Sequence, residues 1–129
     1  VVLAGFMRIL TPAFVQYFAG KLVNIHPSLL PVYKGLHTHR RVLASGDKRH
    51  GCSVHFVNHE LDGGAVIAQA VFDVLPQDNE QTLTERVHKY EHLLYPQVLS
   101  WLANSRLSYQ HGIPVLDGQV LSHPVRLLF

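Results

Sequence analysis

The chain opens on an unbroken apolar run, residues 1–4, which stops at Gly5 and gives way to Thr11-Pro12. A short continuous apolar run fits a strand covered on both faces, and such strands belong to parallel sheets. Thr11 reads as a helix N-cap and Pro12 as the first helical residue. That helix is expected to reach about Ala19, with Gly20 as its stop. Residues 21–25 read as a second strand. Strand, helix, strand in that order demands a crossover, and so an α/β protein with helices layered on a sheet.

The rest of the chain continues the pattern. Pro27, Pro31 and Gly35 mark a long irregular connection. Residues 38–45 are expected to be helical, with "SGDKRHG" as the turn behind them. Residues 52–57 alternate in strand fashion, residues 65–74 form a further strand, and "ELDGG" lies between the two as a loop. The longest periodic segment is 82–103, where Leu83, Val87, Leu94, Val98 and Trp101 share one helical face. Pro96 is expected to kink this helix. The tail carries Gly112 and Asp117-Gly118. Asp-Gly between apolar residues predicts a hairpin over about 107–121.

Composition excludes several classes. At 129 residues the chain has room for one ordinary domain. With 47% hydrophobic and 16% charged residues it is globular rather than disordered. A formal charge of +2, spread along the chain, argues against nucleic acid or a membrane surface as the main partner. No apolar run approaches the roughly 20 residues of a membrane span. Cys52 is the single cysteine, so no internal disulfide can form and a reducing cytoplasm is the default compartment. The start lacks a basic, cleavable leader pattern. It also lacks methionine and begins inside a presumptive central strand. The chain is therefore expected to be part of a longer one, a single partial domain over 1–129.

In open α/β sheets ligands bind beyond the carboxyl ends of the strands. "NIHP" stands there after the second strand. The period of two places Asn24 and His26 on one face. An amide and an imidazole can both donate hydrogen bonds to an oxygen gaining negative charge, and a histidine can also move a proton near neutral pH. Taken alone, the pair fits a turn-forming Asn beside a structural His better. Asp62 in "HELDGG" is either an Asx-turn residue or a carboxylate that keeps a nearby histidine charged. "HKYEH", residues 88–92, has the outline of a zinc-protease motif. Asp117 is the only acid downstream and lies in the predicted turn, so the third ligand is hard to supply and no metal is expected. His37 and His39 could ligate a metal or bind an anion or a carbonyl. Cys52 reads as a packed thiol, and Arg8 as a carboxylate clamp or a surface charge.

"VVLAGFMRIL", "NIHPSLLPVYKGLHTH" and "VHFVNHELDGGAVIAQA", in this order and at these spacings, resemble the phosphoribosylglycinamide formyltransferases. The resemblance runs from Val1 to about Leu121. "GLHTH" favours this branch over the methionyl-tRNA, formyl-sugar and formylfolate-deformylase branches. It implies a Rossmann-like formyltransferase fold with a mostly parallel sheet. It implies transfer of a formyl group from 10-formyltetrahydrofolate to the amine of glycinamide ribonucleotide, without a metal, in cytoplasmic purine biosynthesis.

By position, Asn24, His26 and Asp62 match the family's catalytic trio. Met7, Arg8, Ile9 and Leu10 match the segment lining the folate site, to which Asn24 also contributes. Asn58, His59, Glu60, Leu61 and Asp62 match the loop over the pterin. Glu91 matches the carboxylate that binds ribose hydroxyls, and His88 begins that segment. Lys34 stands where many relatives have proline. The family's glycine-rich phosphate loop belongs to an N-terminal half that is expected to precede Val1. Two rival readings use the same residues: a formyltetrahydrofolate hydrolase, and a folate-binding fragment without catalysis.

Overall fold

The structure is a computed structural model that describes residues 1–4, 11–17, 20–58, 63–127 and 129, leaving aside the side chains of residues 12, 15 and 16. The segments Met7–Leu10 and His59–Asp62, and the expected helix end at Ala19, lie outside the described residues.

A five-stranded sheet forms the centre, in the order β1-β2-β3-β4-β8. Strand β1 (Val2–Ala4) leads to helix α1 (Pro12–Tyr17) and then to β2 (Val23–His26). The first crossover is as expected, since β1 and β2 pair in parallel with Leu3 opposite Asn24. Every residue of β2 is buried, because it lies between two neighbours and has both faces covered.

Helix α2 (Thr38–Ser45) ends at Gly46, whose φ of 76° provides the left-handed stop. Strand β3 (Arg49–Phe56) runs antiparallel to both β2 and β4 (Val66–Asp73). The sheet is therefore mixed. The expected parallel character holds at β1–β2 and β4–β8 and is lost between, where β3 runs antiparallel to both of its neighbours. Strand β3 also starts earlier than its pattern indicates, taking in His50 and Gly51 from the expected turn. Gly51 belongs there because a Cβ would lie 1.9 Å from the Ala70 carbonyl oxygen. Gly64 is similar: its Cβ would fall 1.7 Å from the Phe56 carbonyl oxygen.

Helix α3 (Glu80–Ala103) packs against β3 and β4. Its buried residues are Leu83, Val87, Leu94, Val98 and Trp101, the expected face. It starts two residues earlier than expected because Asn79 and Thr82 cap it reciprocally. The helix continues through Pro96. Tyr95 ties it to the sheet, donating to the Leu3 carbonyl at 2.5 Å and lying 3.2 Å from that of Val23.

The expected tail hairpin is a three-stranded meander of β5 (Leu107–Gln110), β6 (Ile113–Leu116) and β7 (Gln119–Val120). Both of its turns have two successive positive φ angles, at His111-Gly112 and at Asp117-Gly118, the geometry that tight hairpins favour. The Arg106 guanidinium holds Asp117 through two bonds of 2.8 Å. Strand β8 (Val125–Leu127) then adds in parallel to β4. It is too short to leave a readable period. No described helix is long and apolar enough to cross a membrane.

Candidate active site

Asn24 and His26 occupy the carboxyl end of β2, where alternation places them on one face. Both are buried, at 5% and 1% exposure. Their cross-strand partners on β3 are His55 and Ser53. Asn24 Oδ1 is enclosed and has no hydrogen-bond partner among the described residues. A buried polar atom in that state loses its hydration with no return from the protein, so a ligand donor is its natural complement.

His26 is held differently. Its Nε2 lies 2.8 Å from the Tyr33 carbonyl oxygen. A carbonyl only accepts, so Nε2 carries the hydrogen in this bond.

The connection that follows, closed by the cis Leu30–Pro31 peptide, is fixed from behind by a buried polar network. Ser53 Oγ donates to the Ser28 carbonyl at 2.7 Å and accepts from the Leu30 amide at 3.0 Å. Gln69 Nε2 donates to the Leu30 carbonyl at 2.9 Å and to Ser53 Oγ at 3.1 Å. The sequence reading missed these groups. Their signal was Ser53 in "CSVHF" and Gln69 in "VIAQA", polar residues inside otherwise apolar strands.

A second set of side chains lies on the α3 side. His88 and Glu91 line two adjoining pockets of about 400 and 360 Å³. The first continues along Ala4, Tyr95 and Leu99, and the second along Pro27, His37 and His39. Ile25 borders both, one residue from Asn24 and from His26 on the opposite face of β2. Asn24 and His26 thus share one face of β2, while His88 and Glu91 line pockets against Ile25 on the other, and the described lining of those pockets includes neither Asn24 nor His26. Burial raises the Glu91 carboxyl pKa, while nearby His88 and His92 pull it back. His92 Nδ1 donates to the His88 carbonyl at 2.6 Å, an ordinary helix-surface bond. Among the described residues no group of His, Cys, Asp and Glu side chains is arranged to hold a metal ion.

His39 and His50 form a further pair, Nδ1 to Nε2 at 2.9 Å. Burial lowers the pKa of His39, helped by nearby His88, and brings that of His50 down to about 4, helped by His39. Burial pushes the Cys52 thiol up to about 12, which makes it an inert packing group. Asn58 is half-buried beyond the end of β3. Arg8, Asp62 and their neighbours in the two expected folate segments fall outside the described residues.

The mixed sheet carries the Asn24–His26 pair within a stretch that matches the formyl transferase family over residues 1–99, and the chain belongs to that family. Within the family it is similar to the phosphoribosylglycinamide formyltransferases. It is 60% identical to the one from Escherichia coli K12 over 121 residues, 94% of this chain and 57% of that protein. The solved phosphoribosylglycinamide formyltransferase of Coxiella burnetii, in complex with CHES, superposes with a TM-score of 0.91 at 52% identity, over 96% of this chain and 60% of the other. A formyltetrahydrofolate deformylase from Pseudomonas syringae superposes with a TM-score of 0.82 at 29% identity, over 89% of this chain and 39% of the other. The chain therefore spans little more than half the length of the relatives it matches best in these comparisons.

Proposed function

We propose that this chain carries the catalytic centre of a phosphoribosylglycinamide formyltransferase, which moves the formyl group of 10-formyltetrahydrofolate to the amine of glycinamide ribonucleotide. The observation that carries the reading is the Asn24–His26 pair, buried on one face at the carboxyl end of β2. Likeness to named formyltransferases at 60% identity supports the choice of substrates.

In this mechanism the substrate amine attacks the formyl carbon, and negative charge develops on the former carbonyl oxygen. The Asn24 amide donates a hydrogen bond to that oxygen. Protonated His26 donates another through Nδ1, since Nε2 is committed to Tyr33. A donor fixed before the reaction needs no reorganisation as the charge forms, which is what makes it effective. Asp62 favours the charged imidazole and, through a water, helps carry a proton from the attacking nitrogen to the departing one. Glu91 accepts hydrogen bonds from the ribose hydroxyls, with His88 beside it. Residues Met7–Leu10 and Asn58–Asp62 bind the folate. The reactants are small molecules, and a reducing cytoplasmic setting suits the buried free Cys52.

The test is an assay of the full-length protein with 10-formyltetrahydrofolate, with and without glycinamide ribonucleotide. Formyl transfer that depends on the amine is expected. Formate release at the same rate without the amine would instead make the protein a hydrolase, the activity of the related deformylase. Folate binding with no turnover of either kind would leave a binding module.

A further inference from the structure

Tyr33 has its backbone in the left-handed region, with φ at 54°. That conformation crowds the Cβ of an L residue, so other contacts must hold it. The phenol supplies them. It donates to the Asp47 carboxylate and lies 2.6 Å from Ser45 Oγ, at the end of α2. The Arg41 guanidinium sits 5.2 Å from the ring centroid, and the same group donates to the Lys34 carbonyl at 2.6 Å. Ring and following backbone are thus fastened to one helix.

The carbonyl of this residue is the acceptor for His26 Nε2, at 2.8 Å. Ser28 Oγ approaches it at 3.2 Å while bonding the Val32 carbonyl at 2.7 Å. One residue therefore connects the surface of α2 to the imidazole at the end of β2. The carbonyl's direction decides which ring nitrogen keeps the hydrogen and which way the ring points.

We propose that Tyr33 is a positioning residue for His26: its anchored phenol aims its own carbonyl so that His26 presents Nδ1 to the reacting formyl group. The inference rests on the proposed formyl transfer.

Tyr33→Phe in the full-length protein removes only the phenol oxygen and keeps the ring under Arg41. A loss of roughly 10-fold in kcat is expected, as for a small misplacement of a reacting group. KM for either substrate should change by less than about twofold, because uniform binding is untouched. In the neutral form of the ring, the His26 nitrogens should move, in ¹⁵N NMR, from a single Nε2–H pattern towards a mixture of tautomers. Asp47→Asn keeps the shape and weakens the anchor, so it should move both readouts the same way by less. Wild-type kcat together with a wild-type ¹⁵N pattern in folded Tyr33→Phe overturns the proposal. If that variant does not fold, the same result in Asp47→Asn overturns it. Failure of the underlying reading looks different: His26→Ala would then turn over normally, whatever Tyr33 does.

Discussion

His26→Ala in the full-length protein is expected to lower kcat by at least about 100-fold, the usual size of a lost acid–base group. Asn24→Ala should cost about 100- to 1,000-fold, as when an oxyanion donor is removed. The two effects differ in origin. Asn24 acts only as a donor, so its loss should lower kcat without altering the pH dependence of turnover. In the proposed mechanism His26 also moves a proton, so its loss should alter that dependence. Asp62→Ala, by removing the carboxylate proposed to carry the proton, is expected to lower kcat by at least about 100-fold as well. The three losses should not add, because groups acting on one oxygen and one proton work as a unit. Steady-state kinetics on folded variants, checked by thermal melting, would decide. Turnover near wild type in His26→Ala or Asp62→Ala would remove those residues from the mechanism.

The second large effect concerns stability in acid. His50 is 1% exposed and its pKa is lowered from 6.5 to about 4, first by burial and then by the neighbouring His39. In the unfolded chain this ring takes a proton near pH 6.5, and in the folded chain it does not until about pH 4. Between those values the unfolded state binds more protons, so stability falls as pH falls. It is complete above about pH 6.5 and diminishes down to about pH 4, by on the order of 3 kcal/mol. His39, shifted in the same direction, adds to the loss.

Asp78 acts in the same direction but in a lower range. The Arg86 guanidinium beside it, 2.7 Å away, holds its carboxyl well below the usual carboxylate range, so its contribution is lost only below about pH 4. Denaturant midpoints from pH 7.5 down to 4.5 would separate the two. The unmodified protein should lose stability across this interval, and His50→Gln should lose distinctly less. Parallel curves would show that His50 is not the group responsible.

What was readable in the sequence follows the range of the forces involved. The first crossover, the apolar face of α3 and the Asp117-Gly118 turn come from local periods and caps, and these formed as expected. The start of β3 did not. His50 and Gly51 look like turn residues, yet the strand needs them, one to fill a buried position and the other to admit the Ala70 carbonyl. Parallel β8 depends wholly on a distant partner. At the site, "NIHP" supplied Asn24 and His26 because alternation and a strand end are local facts. The hold of Tyr33 on His26, and of Ser53 and Gln69 on the connection behind it, depends on tertiary approach and could be suspected only from polar letters in apolar strands.

Gly64 has a consequence for anyone who reads function from tolerance to mutation. Its missing side chain leaves the space that the Phe56 carbonyl oxygen fills, two residues before β4. A saturation library over residues 58–66 should therefore reject nearly every amino acid at position 64, with a profile as strict as that of a reacting residue. Strictness there would report a contact between two stretches of main chain, and the position would be misassigned to chemistry unless stability were scored beside activity.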